Sequence, residues 1–330
     1  MNEDENDYNT IFKLPIYYNK DKQYIDNSIQ IDLELNDPSN NYYNNLFSLH
    51  NPFHEETIQQ WHQYYTHDKK FLKDTQKLIK TFNIQNDFNF DSIIEIKNNQ
   101  LDDDYFIDKY QYVSWDRLRI LNNYSIFLHV ISVYNITSPV LSLIMPIFFL
   151  IFPFFILKLQ GKPISIAHYI EIIKLAFSNH QLGQIFNINS ASWDKRVYIL
   201  ISMLFYIFQI YQNVRSCIEF YNNITIMHEQ LFTVKNYLIH TINKMDNFKE
   251  LCRSFKSYKL FINDMSIYKK QLEILLHEIN EISEYKFSIQ KCKEIGTLMK
   301  CFYQLNMNSN YINALSYSYG FNSYLNNLQS

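Results

Sequence analysis

Glycine is nearly missing from this chain: four residues in 330, alongside seven prolines and four cysteines. Average usage would give roughly 23 glycines and 16 prolines in that length. Folds that spend glycine on tight turns and close backbone approach are thereby disfavoured, among them doubly wound nucleotide-binding folds, β-sandwiches and collagen-like repeats. Gly161, Gly183, Gly296 and Gly320 are never spaced as G-x-G-x-x-G or G-x-x-x-x-G-K-[ST], so no loop is set to cradle a phosphate. Gly161-Lys162-Pro163 comes nearest, but proline removes an N–H where one is wanted and no glycine precedes it at the required distance. Serines and histidines occur without a nucleophile elbow. The sequence therefore predicts no catalytic, cofactor-binding or metal-ligating residue, no cofactor and no enzyme activity.

Cys217, Cys252, Cys292 and Cys301 match neither C-x-x-C nor a paired zinc-ligand spacing and read as reduced, mostly buried thiols. The acidic opening Met1-Asn2-Glu3-Asp4-Glu5-Asn6-Asp7 is the opposite of a basic signal-peptide n-region, so no cleavable export signal is expected. A net charge of -3 hides an asymmetry: residues 1–110 carry 20 acidic and 10 basic side chains, residues 111–330 carry 13 and 20. That surplus of +7 in the second part is too dilute to demand nucleic acid. With 27 Tyr, 26 Phe and abundant Asn, Ile and Lys, the composition resembles the product of an A/T-rich genome, so single Asn, Lys or Tyr residues carry little weight.

Residues 1–50 are expected to form an acidic, partly disordered segment. Within it Ile29, Ile31, Leu33 and Leu35 alternate with polar residues, the period of a half-buried strand, ended by the turn Asp37-Pro38-Ser39-Asn40. Residues 51–110 read as a small helical region and an acidic loop. Asn51-Pro52 starts a helix running through Trp61 and Tyr65. A second begins near Asp68, with Phe71, Thr75, Leu78 and Phe82 at helical spacing and Lys69, Lys70, Lys73, Lys77 and Lys80 mostly on other faces. Asn83 to Asp108, including Asp102-Asp103-Asp104, reads as a loop and domain boundary.

Residues 111–215 hold the strongest physical signal. From Pro139 to Leu157 no charge occurs, a length of about 28 Å as helix, close to a bilayer core. Pro146 and Pro153 would break a soluble helix but are tolerated in a membrane helix whose neighbours satisfy the freed carbonyls. A second run, Val197 to Val214, is bracketed by Lys195-Arg196 and Arg215. The two predict an apolar helical hairpin joined by residues 158–196, either in a membrane or as the core of a large soluble helical protein. Lys158, Lys162, Lys195 and Arg196 would put the connection on the cytoplasmic side of a membrane.

Residues 216–305 change period. Ile224, Met227, Leu231, Val234, Leu238, Thr241, Met245 and Phe248 follow a heptad seam, and Tyr268, Leu272, Leu275, Ile279, Ile282, Lys286 and Ile289 follow another. They predict a lever-like antiparallel arm, joined around Ser254 to Asp264, with residues 306–330 as a C-terminal connector. The fold class is thus mainly α: an apolar hairpin, a long antiparallel arm, and little or no sheet.

Two constellations are weighed against plain surface roles. His54, His62 and His67 near Glu55, Glu56 and Asp68 match no H-E-x-x-H face and read as surface histidines. Asp102-Asp103-Asp104 lacks the partner carboxylates and glycine turn of a cation loop. Phe53-His54-Glu55 and Phe248-Lys249-Glu250 each fit the bare Phe-x-Glu pattern of mismatch-recognition wedges, but two matches in unrelated helical contexts read as coincidence.

The order of segments carries a resemblance. Tyr64 to Leu78 (YYTHDKKFLKDTQKL), then Ser138 to Leu143 (SPVLSL) running into Pro146 and Pro153-Phe154-Phe155, then the long helical arm, resemble MutS-like ATPases encoded by large DNA viruses of algae and protists. The likeness spans roughly residues 45 to 320 and implies the core and lever region that precedes a C-terminal ATPase domain. The chain reaches Ser330 without Walker A, Walker B or signature loop, so neither ATP hydrolysis nor any catalytic residue carries over. The expectation is a membrane-associated, intracellular scaffold or ATPase-partner module. It would meet an ATPase domain or a second copy through the arm. The alternative is a nucleic-acid clamp component of a DNA repair or recombination assembly.

Overall fold

Two three-residue strands make all the sheet found among the described residues, β1 (Lys22–Tyr24) antiparallel to β2 (Tyr64–Thr66), with Lys22 opposite Thr66. The computed structural model describes residues 11–35, 46, 47, 53, 57–82, 88–99, 101–161, 169–171, 192–283 and 294–329. Its helices are α1 (Asn27–Asp32), α2 (Lys69–Thr81), α3 (Asp91–Asn98), α4 (Asp103–Lys109), α5 (Ser125–Leu159), α6 (Trp193–Leu251), α7 (Lys259–Asn280), α8 (Ile295–Met307) and α9 (Ser309–Gln329). The chain is mainly α, as its patterning predicts.

It divides into two units. Unit 1 comprises Met1–Ser125, Met227–Phe287 and Thr297–Ser330; unit 2 comprises Ile126–Ile226 and Ser288–Gly296. The helix α6 is continuous through the boundary, in unit 2 up to Ile226 and in unit 1 from Met227.

Unit 1 is built around α9. The seam of α6 is buried as its spacing predicts, with Met227, Leu231, Leu238, Thr241, Met245 and Phe248 fully enclosed. The seam of α7 is buried at Leu272, Leu275 and Ile279, as is Ile282 just beyond its end, while Lys286 and Ile289 lie outside the described residues. Both seams face α9: Phe248 of α6 packs edge-on against Phe321, and Tyr268 of α7 stacks on Tyr317 with ring centroids 4.2 Å apart. The segment read as a connector, residues 306–330, is therefore the central helix of the unit. Its polar composition concealed this, because Asn, Ser and Tyr residues form its enclosed surface and exchange hydrogen bonds. Ser318 Oγ lies 2.8 Å from the Tyr237 hydroxyl, and Ser323 Oγ lies 2.6 Å from Thr57 Oγ1. Gly320 is required here, since a Cβ would sit 2.4 Å from Cβ of Phe12.

Three expectations near the N-terminus are corrected. The strand expected through Ile29 to Leu35 is the helix α1, capped by Asp26, which accepts from the Ser28 N–H at 2.9 Å. Ile29, Ile31 and Leu33 are exposed, whereas Gln30 is buried and donates to the Ile25 carbonyl. An alternating run needs a neighbouring strand to hold it extended, and the short β2 pairs only with β1. The helix expected through Trp61 and Tyr65 is a 3₁₀ turn, Ile58–Gln60, followed by β2. Buried Gln60 explains the turn: its side chain accepts from Leu14 N–H at 3.0 Å and donates to the Phe12 carbonyl at 2.8 Å, clamping the N-terminal segment against the unit. The loop expected over Asn83 to Asp108 contains α3 and α4, anchored by buried Phe90, Ile93, Phe106 and Ile107. Asn51-Pro52, the turn Asp37 to Asn40 and residues 83–87 lie outside the described residues.

The helix beginning near Asp68 is α2. Asp68 caps it, accepting from the Lys70 N–H at 2.8 Å, and Phe71 and Leu78 bury its inner face.

Candidate functional site

Unit 2 contains the apolar hairpin, made by α5 and the first part of α6. Lys158 is the only Lys, Arg, Asp or Glu in α5, and the helix stops just beyond it where Gly161 takes a left-handed φ of 70°. Two contacts fix the antiparallel register. The Tyr206 hydroxyl reaches the Ser142 carbonyl at 3.4 Å, and Cys217 Sγ lies 3.6 Å from the Ile136 carbonyl.

The prolines explain the first contact. A proline has no N–H, so Pro139 and Pro146 leave the carbonyls of Asn135 and Ser142, four residues earlier, without their helical donors. Ser138 Oγ donates to the Asn135 carbonyl at 3.1 Å, and Tyr206 reaches the Ser142 carbonyl from the other helix. Sequence reasoning anticipated that neighbours would serve these carbonyls, but not which ones. A hydroxyl-bearing residue inside an otherwise apolar run was the available signal.

The surface of this hairpin is the reverse of a soluble protein's. Ile126, Val130, Val140, Leu143, Phe155, Leu204, Phe205 and Phe208 all stand exposed, Phe205 at 69%. Two helices are long and apolar enough to cross a membrane, and within their most apolar stretches only 11% and 6% of residues are buried inside the molecule. A core helix of a soluble protein would have most of that surface covered. The charged and interfacial groups gather at the ends. Arg196 lies over the Trp193 ring at one end of the α6 run, and Arg215 pairs with Glu219 at 2.8 Å at the other. Of the connecting segment 158–196, residues 162–168 and 172–191, with Lys162, lie outside the described residues.

The other sequence constellations form no cluster among the described residues. Contrary to the surface reading of the histidines, His62 is buried, and burial lowers its pKa and keeps the ring neutral; His67 meets the Tyr65 ring edge-on; Asp68 serves as a helix cap. His54, Glu55 and Glu56 lie outside the described residues. Asp102 and Asp103 begin α4, and Asp104 pairs with Arg119 at 3.1 Å on the surface. Among the described residues no three His, Cys, Asp or Glu side chains converge on a point where a metal ion could be held. Cys252 and Cys301 are free thiols that burial pushes up to about 12, far from the thiolate a nucleophile needs. Cys217 is free and half-buried, and Cys292 lies outside the described residues. Phe53 and Phe248 are both enclosed in unit 1, Phe53 against Phe90 and Tyr319.

One buried cation was not anticipated. Lys244 of α6 is 4% exposed, close to the Phe90 ring, and burial lowers its pKa to about 8. Compared with known protein families, curated proteins and solved structures, the chain matches none.

Proposed function

We propose that the chain is a non-catalytic, membrane-anchored helical scaffold, in which the hairpin of unit 2 enters the bilayer and unit 1 is the module held at its surface. The observation that carries this is the inversion of the hairpin's surface: apolar side chains face outward along both helices, whereas unit 1 buries the apolar seams of α6 and α7. In a bilayer that outward surface is solvated by lipid, and the carbonyls freed by proline gain partners inside the hairpin, as a membrane helix requires. Arg196 and Trp193 at one end suit the headgroup region.

The MutS-like core and lever reading rests on the order of segments and remains part of this proposal as the kind of scaffold unit 1 would be. The C-terminal helix α9 offers an ATPase partner little surface, because it is enclosed along most of its length. The nucleic-acid clamp gains nothing from the two Phe-x-Glu matches, since Phe53 and Phe248 belong to the core.

Membrane fractionation tests the reading. The expressed chain should pellet with membranes, resist carbonate extraction and need detergent for purification. Recovery of a monodisperse protein without detergent would overturn it.

A further inference from the structure

The lysines of α2 form a pattern that the fold does not use. At 100° per residue Lys69, Lys80, Lys73, Lys77 and Lys70 fall within about 100° of the helix circumference, opposite Phe71 and Leu78. All five are exposed, and none takes part in an ion pair among the described residues. The one carboxylate within the helix, Asp74, is turned toward the unit, where Ser257 Oγ donates to it at 2.6 Å. Residues 1–110 hold 20 acidic and 10 basic side chains, so half of the basic ones in an acidic third lie on this stripe.

Helix energetics alone would not place them so. Lys69 and Lys70 stand in the first turn, at the positive end of the macrodipole, with the capping Asp68 as the one carboxylate beside them. Lys69 with Lys73 and Lys73 with Lys77 are like charges four apart, an arrangement that weakens a helix. The A/T-rich composition accounts for lysines in number, not for their collection on one outward stripe. Leu72 and Ile79 stand 44% and 50% exposed along one edge of it.

We infer that the outward face of α2 docks on anionic phospholipid headgroups and holds unit 1 down on the membrane that the hairpin enters, an inference that rests on the membrane reading above. Charge complementarity calls for a polyanion, and three features select lipid over nucleic acid. The chain enters unit 2 after Ser125 and returns to unit 1 at Met227, so an inserted hairpin tethers unit 1 to the bilayer at two points. The apolar edge of Leu72 and Ile79 fits the boundary between headgroups and acyl chains, as in interfacial helices. The outward face carries no arginine and no aromatic ring, the groups with which proteins stack on single-stranded bases.

The test is lysine acylation, read by mass spectrometry, on the full chain in nanodiscs of phosphatidylcholine with and without phosphatidylserine. Exposed Lys249 and Lys270 serve as internal references. Phosphatidylserine should slow acylation of Lys73, Lys77 and Lys80 about fivefold, the factor implied by the attraction of one lysine to an anionic surface. Salt at about 0.5 M, where the screening length is on the order of 4 Å, should restore it. Equal reactivity in both lipids overturns the inference. Protection by a single-stranded oligonucleotide in phosphatidylcholine nanodiscs, with none from phosphatidylserine, overturns it in favour of nucleic acid. If the chain proves soluble and does not enter nanodiscs, the membrane reading fails by itself. The same footprint with added phosphatidylserine vesicles then decides the stripe separately: protection sustains headgroup docking and its absence ends it.

Discussion

Asn322 of α9 and Thr241 of α6 meet at 3.0 Å, and neither side chain is open to water. The same amide nitrogen also lies 3.1 Å from the Tyr237 hydroxyl and 3.1 Å from the Ser318 carbonyl. One NH2 group with two hydrogens therefore lies among three oxygens within the central helix, of which the Ser318 carbonyl can only accept. Replacing it by alanine strands buried acceptors, so Asn322→Ala should cost about 1–3 kcal/mol. Thr241→Val should cost less, because the amide keeps its other partners. Denaturant unfolding of unit 1 in mild detergent checks both. An unchanged midpoint for Asn322→Ala would show that the cluster is hydrated.

Gly320→Ala should destabilise unit 1 by about 1–3 kcal/mol through overpacking, since the new methyl falls on Cβ and Cγ of Phe12. The strain should be local. Phe12→Ala removes the ring atoms Cγ and Cδ1 at 2.6 and 2.8 Å but keeps Cβ at 2.4 Å, so it should relieve only part of the strain, a partial coupling that a double-mutant cycle measures.

Phe205→Arg separates the two environments open to the hairpin. Phe205 is 69% exposed and sits midway along the uncharged run, so in water a charge there would be nearly neutral. At the centre of a bilayer an arginine costs about 2.5–3.5 kcal/mol on the insertion scale. A glycosylation-based insertion assay should show a marked loss of inserted hairpin.

Tyr206→Phe removes only a hydroxyl and tests whether the carbonyl freed by Pro146 is served from the other helix. Interhelical hydrogen bonds in membranes are worth on the order of 0.6 kcal/mol, so a small loss of hairpin stability is expected. The double change Tyr206→Phe with Pro146→Ala should lose less than Tyr206→Phe alone, because alanine restores the helical donor. Equal losses would show that the hydroxyl serves another purpose.

Lys244 gives a pH signature of definite sign. Its folded pKa of about 8 lies below the ordinary 10.5, so between those values the unfolded chain holds the proton and the folded chain does not. Stability from this group rises with pH across that window and is absent below it. Lys244→Met should therefore be more stable than the parent at pH 7, with the advantage shrinking as pH approaches 10. The comparison must be a difference between the two proteins. Cys252 and Cys301, raised by burial to about 12, lose stability for both above pH 9.

What the sequence made legible follows from period. Where apolar residues recur every three or four positions with at most a threonine among them, as from Met227 to Phe248 or across α2, burial is as expected. It failed where polar side chains carry the structure. Gln60 looks like a surface residue and is a buried clamp; Asn322, Ser318 and Ser323 look like a connector and face the core. It failed too where a short period-two run had no partner strand, at Ile29 and Ile31. The freed carbonyls of the hairpin were legible from the prolines, but their donors depend on the pairing of two helices, which no local pattern contains. The α2 lysines were visible one by one, and their single outward stripe emerges only once Phe71 and Leu78 define the inner face.

The position of α9 in the chain also sets an order of assembly. Thr57 and Ser323 touch across 266 residues of sequence, and the hairpin lies between them. During synthesis from the N-terminus, both apolar helices leave the ribosome well before the central helix of unit 1 exists. The N-terminal strands, α2 and their aromatic neighbours must wait, still open, while the hairpin is completed. Such long-range closure is slow compared with the pairing of two neighbouring helices. The hairpin is thus the first part of this molecule able to find its final surroundings, and unit 1 closes around its last helix afterwards.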